Sequence, residues 1–208
     1  MQRETFPVGP LQCNCSILYD LAAHDATVVD PGGDLVRILA FLATNNLRLR
    51  QIVVTHAHLD HIAGAKQLSE STGAPVLFHQ ADLPLLALME QQAQWIGVPA
   101  PRVAPPDESA EDGLALTVGN EAGRVMHTPG HTQGSISLYF PASDLLLAGD
   151  TLFRGGIGRT DLPGGDTHMI LTSIRERLLP LPTSTVVIAG HGAETTIGRE
   201  AQDNPCLV

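Results

Sequence analysis

The sequence predicts a mixed α/β domain built in layers. Two β-rich stretches, each carrying helical segments, share the 208 residues, and a sheet has to cover its apolar faces with a further layer. Several strand candidates are unbroken apolar runs, among them Ile52-Val53-Val54, Leu145–Ala148 and Val186–Ala189, the pattern of strands buried on both faces. Hydrophobic residues make up 43% of the chain, enough for a sizeable core, and no run of about 18 apolar residues marks a membrane span.

The elements follow in order. Phe6–Gly9, Cys13–Tyr19 and Ala26–Asp30 read as strands, and Pro31-Gly32-Gly33 turns the chain. Leu35, Ile38, Leu39 and Leu42 recur at helical period, so a helix is expected over 35–45. Gln51–Thr55 is the next strand. Leu59–Ser71 reads as a helix with Asp60 and His61 in its first turn, where the helix dipole favours a carboxylate and side chains tilt back toward the preceding strand end. Pro75–His79 is a strand and Ala81–Trp95 a Met- and Leu-rich helix. Within that helix Leu88, Met89 and Trp95 are read as a pocket wall or, equally, as core or dimer contacts. Residues 97–113 are rich in proline and acid, which marks a surface loop. Strands resume at 115–118, 123–127, 135–140 and 144–148, a helix follows at 169–179, and 185–189 is the last strand. Nothing in the composition marks a division, so residues 1–208 are read as one domain.

Thr55-His56-Ala57-His58-Leu59-Asp60-His61 is the most informative stretch. Four metal-capable side chains fall directly after an apolar strand, and imidazoles and carboxylates at that density need a cation to draw them together. With 9 His and 13 Asp in the chain, chance places such a cluster in roughly one chain per thousand. Three more apolar runs end in a potential ligand: His127-Thr128-Pro129-Gly130-His131 after Val125-Met126, Gly149-Asp150 after Leu145–Ala148, and Gly190-His191 after Val186–Ala189. Strand ends at one edge of a sheet converge in space, and glycine lets the backbone turn beside a ligand. His24, His79 and His168 read as ordinary turn, strand-end and helix-start residues. His127 reads as a satisfied strand-end histidine, with support of His131 as the sharper alternative.

Charge and cysteines exclude other classes. The net charge is −10 and Lys66 is the sole lysine, so no basic patch for nucleic acid is expected. The first residues lack the charged and apolar regions of a secretion signal, which leaves a cytoplasmic protein as the expectation. Cys13 and Cys15 lie two apart on one strand face and read as core residues; with Cys206 they cannot complete a disulfide set.

In order and spacing, THAHLDH, HTPGHT, LLLAGD and AGHG resemble the metallo-β-lactamase-fold hydrolases. The stretch Phe153–Asp161, residues 195–198 and Asn204-Pro205 narrow the likeness to the short glyoxalase II-like (hydroxyacylglutathione hydrolase-like) proteins of bacteria. The resemblance runs from about Phe6 to Pro205. It implies an αββα sandwich, lacking the C-terminal helical domain of full-length glyoxalase II. It also implies two divalent metal ions: His56, His58 and His131 hold one, Asp60, His61 and His191 the other, and Asp150 lies between them. Zinc is the first expectation, with iron or manganese as alternatives, since His and Asp suit all three. Asp60 and Asp150 are the expected catalytic residues, and a metal-bridging hydroxide is the expected nucleophile. The implied substrate is a small thioester, S-D-lactoylglutathione or a related acyl thiol. Arg154 and Arg159 are candidates for substrate contact, weighed against an ordinary ion pair such as Arg159 with Asp161. No membrane or nucleic-acid partner is expected, and the sequence leaves the oligomeric state open.

The same ligands admit a persulfide dioxygenase with a single Fe(II) held by His56 or His58, His131 and Asp150, or a hydrolase of another small ester or lactone. β-Lactam hydrolysis is less expected, because the resemblance places Asp150 between the metals, where β-lactamases generally lack a carboxylate. A binding protein without catalysis would be expected to have lost ligands, and none is lost.

Overall fold

A computed structural model describes residues 1–207. The first half of the chain supplies β1 (Gln2–Val8), β2 (Cys13–Asp20), β3 (Asp25–Val29), β4 (Arg48–Val53), β5 (Val76–Phe78) and β6 (Glu108–Ser109), hydrogen-bonded in that order in one sheet. β1, β2 and β3 are antiparallel, and β3 to β6 run parallel. The second half supplies β7 (Ala115–Val118), β8 (Glu121–His127), β9 (Ile136–Phe140), β10 (Leu145–Gly149), the hairpin β11 (Leu152–Phe153) and β12 (Gly156–Ile157), then β13 (Val186–Ala189) and β14 (Thr195–Thr196). Apart from the hairpin these form a second sheet in the order β14-β13-β10-β9-β8-β7, with β10 and β13 parallel. The helices are α1 (Leu35–Thr44), α2 (Leu59–Ile62), α3 (Ala65–Thr72), α4 (Leu83–Leu86), α5 (Met89–Ile96), α6 (Thr167–Ser173) and α7 (Ile197–Asp203).

The unbroken apolar runs explain the layering. Successive strand residues point to opposite faces, and here both faces are covered. Ile52 and Val54 of the β4 segment pack with α1, α2 and α3 through Ile38, Ile62 and Leu68, while Val53 between them faces the other sheet. Leu145 and Leu147 enter the inter-sheet layer, and Leu146 and Ala148 pack outward with Ile170, Ile174 and Ile197. Three apolar clusters therefore separate four layers of structure, helix, sheet, sheet and helix, as the family resemblance implies. Each fully buried aliphatic side chain in them contributes roughly 1.5–3 kcal/mol.

Several expected elements differ. The helix expected over 59–71 is broken, because Gly64 N–H donates to Pro31 O at 2.9 Å and leaves the helical ladder. The helix expected over 81–95 is a short 3-10 turn, α4 and α5, with Pro84 in the first turn of α4. Met89 is core, Leu88 packs against it, and Trp95 is 52% exposed, so core packing rather than a pocket wall describes Met89. The loop 97–113 contains β6. The helix expected over 169–179 starts two residues earlier, where the Asp166 carboxylate accepts from Met169 N–H at 2.9 Å, and ends in a π-type turn over Ile174–Leu178. β1 starts at Gln2 rather than Phe6, and β11, β12, β14 and α7 were not expected.

Candidate metal centre

All four ligand-bearing runs end at the same edge of the sandwich. β8, β10 and β13 run in one direction within their sheet, β9 being antiparallel to β8 and β10, and β4 of the other sheet ends opposite them. His56 and His58 follow β4; Asp60 and His61 lie in α2. His131 follows β8, Asp150 follows β10 and His191 follows β13. Gly149 takes a left-handed φ of 49°, and an added Cβ there would lie 2.5 Å from Thr55 Oγ1. Only glycine lets β10 close against the first ligand loop and still present Asp150.

The seven expected side chains fall into two adjoining groups. His56, His58 and His131 converge in one group, and Asp60, His61 and His191 in another. His131 Nε2 is 2.9 Å from His58 Nδ1 and 3.2 Å from His56 Nε2. These are not hydrogen bonds between imidazoles. His131 Nδ1–H donates to the Arg159 carbonyl at 2.7 Å, so its Nε2 carries a lone pair when neutral. The Thr55 hydroxyl donates to Asp30 Oδ2 at 2.7 Å and accepts from His56 Nδ1–H at 3.2 Å, so His56 Nε2 also presents a lone pair. Burial and the neighbouring imidazoles hold His56 well below the ordinary histidine range, and burial with His131 brings His58 down to about 3. Burial lowers His131 too. Neutral rings turning lone pairs onto one point form a cation's coordination shell.

The second group is acidic. His191 Nε2 is 3.1 Å from Asp60 Oδ2, and His61 Nε2 lies 3.7 Å from Asp60 Oδ2. Asp150 stands between the groups: Oδ1 is 3.5 Å from His61 Nε2, and Oδ2 is 3.6 Å from His131 Nε2 and 3.8 Å from His191 Nε2. Burial pushes Asp60 up, but His61 and His191 outweigh it and hold the carboxyl well below the usual range. Burial likewise opposes charge on His61, yet Cys13, Asp30, Asp60 and Asp150 around it raise it well above the ordinary value. The bond to Asp60 raises His191. This cluster calls for positive charge. His61 Nε2 and Asp150 Oδ1 are buried without a hydrogen-bond partner, an expense a cation removes. The donor set thus fits divalent metal.

The supporting contacts were largely missed from the sequence. Asp30 accepts from Thr55 N–H and Oγ1–H, both at 2.7 Å, and from His61 Nδ1–H at 2.9 Å. It too ends an apolar strand, so the pattern that singles out the candidate ligands also reaches it. Cys13 is buried with its sulfur 3.5 Å from His61 Nδ1, and burial pushes its thiol up to about 12. Asp82 and Gln92 accept from Ala57 N–H and Leu59 N–H, each at 2.9 Å, on either side of His58; no sequence signal marks them.

Arg159 contributes its backbone carbonyl to His131, while its exposed guanidinium pairs with Asp161 at 2.7 and 2.8 Å. Arg154 is exposed on the β11–β12 hairpin. That hairpin is anchored from α7: Gly155 N–H donates to Glu200 Oε2 at 2.8 Å, and Asn204 Nδ2–H donates to Gly156 O at 3.0 Å. His127 is a satisfied strand-end residue, donating from Nε2 to Gln133 O at 2.9 Å and stacked on His79 at 4.1 Å. Among the described residues no helix is long and apolar enough to cross a membrane.

Known proteins share this layout. Residues 8–191 match the family model of the metallo-beta-lactamase superfamily. Hydroxyacylglutathione hydrolase GloC of Haemophilus influenzae is 38% identical over 209 residues, covering 100% of this chain and 98% of the relative. The chain crystallised as BLEG-1 B3 metallo-beta-lactamase superposes with a TM-score of 0.91 at 38% identity, covering 99% of both chains. TTHA1623, solved in a di-iron-bound form, does so with a TM-score of 0.86 at 37% identity, covering 96% of this chain and 97% of that one. With the motifs, the layered fold and the family match in agreement, the chain belongs to the metallo-beta-lactamase superfamily, whose fold binds divalent metal.

Proposed function

We propose that this protein is a dinuclear thioester hydrolase, with S-D-lactoylglutathione or a related acyl thiol as substrate. The observation that carries this reading is Asp150, whose two carboxylate oxygens face His61 on one side and His131 and His191 on the other. A carboxylate so placed could help to hold two cations. We assign His56, His58 and His131 to one cation, Asp60, His61 and His191 to the other, and Asp150 to both. Bound there, divalent metals supply a nucleophile at neutral pH, by lowering the pKa of water from 15.7 toward about 7, and Lewis-acid polarisation of a carbonyl.

The residues of the chain do the rest. Asp30 and the Arg159 carbonyl fix the tautomers of His61 and His131, so that each ring aims a lone pair inward. Asp60, ionised and 12% exposed at its side chain, accepts a proton-bearing group at the solvent side of the site. A thiolate leaves without a strong general acid, since thiols ionise near pH 8.5. The likeness to a hydroxyacylglutathione hydrolase supports the substrate class. The likeness to a di-iron protein supports iron beside zinc as the metal.

Metal analysis of the purified protein, with hydrolysis of S-D-lactoylglutathione before and after chelation, tests the reading. Two metals per chain and chelator-sensitive release of thiol are expected. One iron per chain with oxygen uptake on a persulfide would identify the single-iron dioxygenase instead. Faster turnover of a chromogenic cephalosporin than of any thioester would replace the substrate class with a β-lactam.

A further inference from the structure

The two loops that carry His56, His58 and His131 come from different sheets, and one buried side chain joins them. Asp82, 1% exposed, lies in the turn between β5 and α4. Its Oδ2 accepts from Ala57 N–H at 2.9 Å, between His56 and His58. The same oxygen accepts from Thr132 Oγ1–H at 2.9 Å, next to His131, and Oδ1 accepts from Gly134 N–H at 2.6 Å. All three partners donate, so the carboxylate serves as an ion with its acceptor capacity directed at the two loops. The approach is close: an added Cβ on Gly134 would lie 2.8 Å from Asp82 N.

We propose that Asp82 is a positioning residue that sets the three-histidine metal position by tying the His56–His58 loop to the His131 loop. It makes no hydrogen bond to any of the three rings and acts on the chain beside them, through Ala57, Thr132 and Gly134. The three lone pairs converge only when loops from the two sheets hold a fixed separation, and Asp82 spans that gap with three charge-assisted bonds. This inference rests on the proposed assignment of those histidines to one cation. It adds that the position's affinity is set from outside the ligand shell, and from one side only. The Asp60–His61–His191 position receives no bond from Asp82.

The test is cobalt(II) titration of the full-length protein, followed by visible absorbance and by chelator competition. The two binding steps are assigned with His58→Ala and His191→Ala. Asparagine keeps the shape of Asp82 but turns an NH2 toward a donor. Asp82→Asn is expected to weaken the three-histidine step by about 10–100-fold, the usual cost of losing support behind metal ligands, and the other step by less than about threefold. Equal weakening of both steps, or of neither, overturns the proposal. Wild-type protein that binds no cobalt would defeat the ligand assignment itself. Two intact steps in Asp82→Asn would defeat the clamp alone. If far-UV circular dichroism shows Asp82→Asn unfolded, Thr132→Val decides, since it removes one donor at constant shape. A loss of about threefold to tenfold confined to the three-histidine step is then expected, and an unchanged step refutes the clamp.

Discussion

Gly190 offers the sharpest steric test of the metal centre. A Cβ added there would lie 2.0 Å from Asp150 Oδ1 and 2.7 Å from His61 Cε1. Real Cβ atoms stay at least 3.0 Å from such neighbours, so Asp150 or the loop must move by about 1 Å. Gly190 shows no left-handed φ, so alanine meets no backbone penalty and the effect is purely one of space. A displacement of about 1 Å at a reacting centre costs about 10²-fold in rate, or about 2.7 kcal/mol of transition-state stabilisation. The assay is thioester kcat/KM with metal content, beside a melting curve. Gly192→Ala is the companion variant. It meets nothing within 4 Å but has φ of 76°, so it costs about 1–2 kcal/mol of backbone strain and spares the carboxylate. Gly190→Ala protein with wild-type turnover and full metal content would refute the placement of Asp150 against Gly190.

Other outcomes follow from the same contacts. Metal at 100 times its Kd adds about 2.7 kcal/mol, so chelation is expected to lower Tm by about 5–10 °C, reversed on adding metal back. Burial raises Cys15 well above its ordinary value of 9.0, so the native thiol stays protonated where the unfolded one ionises. Its stability contribution is complete below pH 9 and is lost as pH rises above it; denaturant melts of Cys15→Ala should show a flatter alkaline limb. Cys206 is exposed while Cys13 and Cys15 are buried, so a thiol reagent should modify one cysteine per native chain and all three only after unfolding. Gly158→Ala would bring a Cβ to 1.8 Å from Asp150 O and should lower metal affinity measured by chelator competition. Arg159→Ala, which keeps the carbonyl that His131 uses, should leave that affinity unchanged.

The convergence of the candidate ligands was legible because their segments follow apolar runs, with Asp60 and His61 in the helix just after the first, and apolar runs are what fold into strands with a common edge. His131, Asp150 and His191 carry no weight singly; their shared position relative to β8, β10 and β13 gives it. Asp30 obeys the same rule, but the Pro31-Gly32-Gly33 that follows it reads as an ordinary turn and carries no second ligand-type residue to draw attention to it. Asp82 could not be read, since two of its three partners are backbone amides, which every residue has, and the third is a threonine hydroxyl fifty positions away. The two broken helices have different physical causes. Gly64 donates its backbone N–H to Pro31, a tertiary commitment that overrides a local 3.6-residue period, while Pro84 has no N–H to continue a ladder from the 3-10 turn before it. The short strands β6, β11, β12 and β14, two residues each, are too brief for any alternation to register.

The anchoring of the β11–β12 hairpin by Glu200 and Asn204 gives the end of the chain influence over its centre. The hairpin leads straight into Gly158 and the Arg159 carbonyl, and that carbonyl decides which nitrogen of His131 bears the proton. Trimming the polypeptide before Glu200 would therefore free a remote imidazole to choose its tautomer, and the damage would register as weaker ion retention long before the sandwich itself gave way.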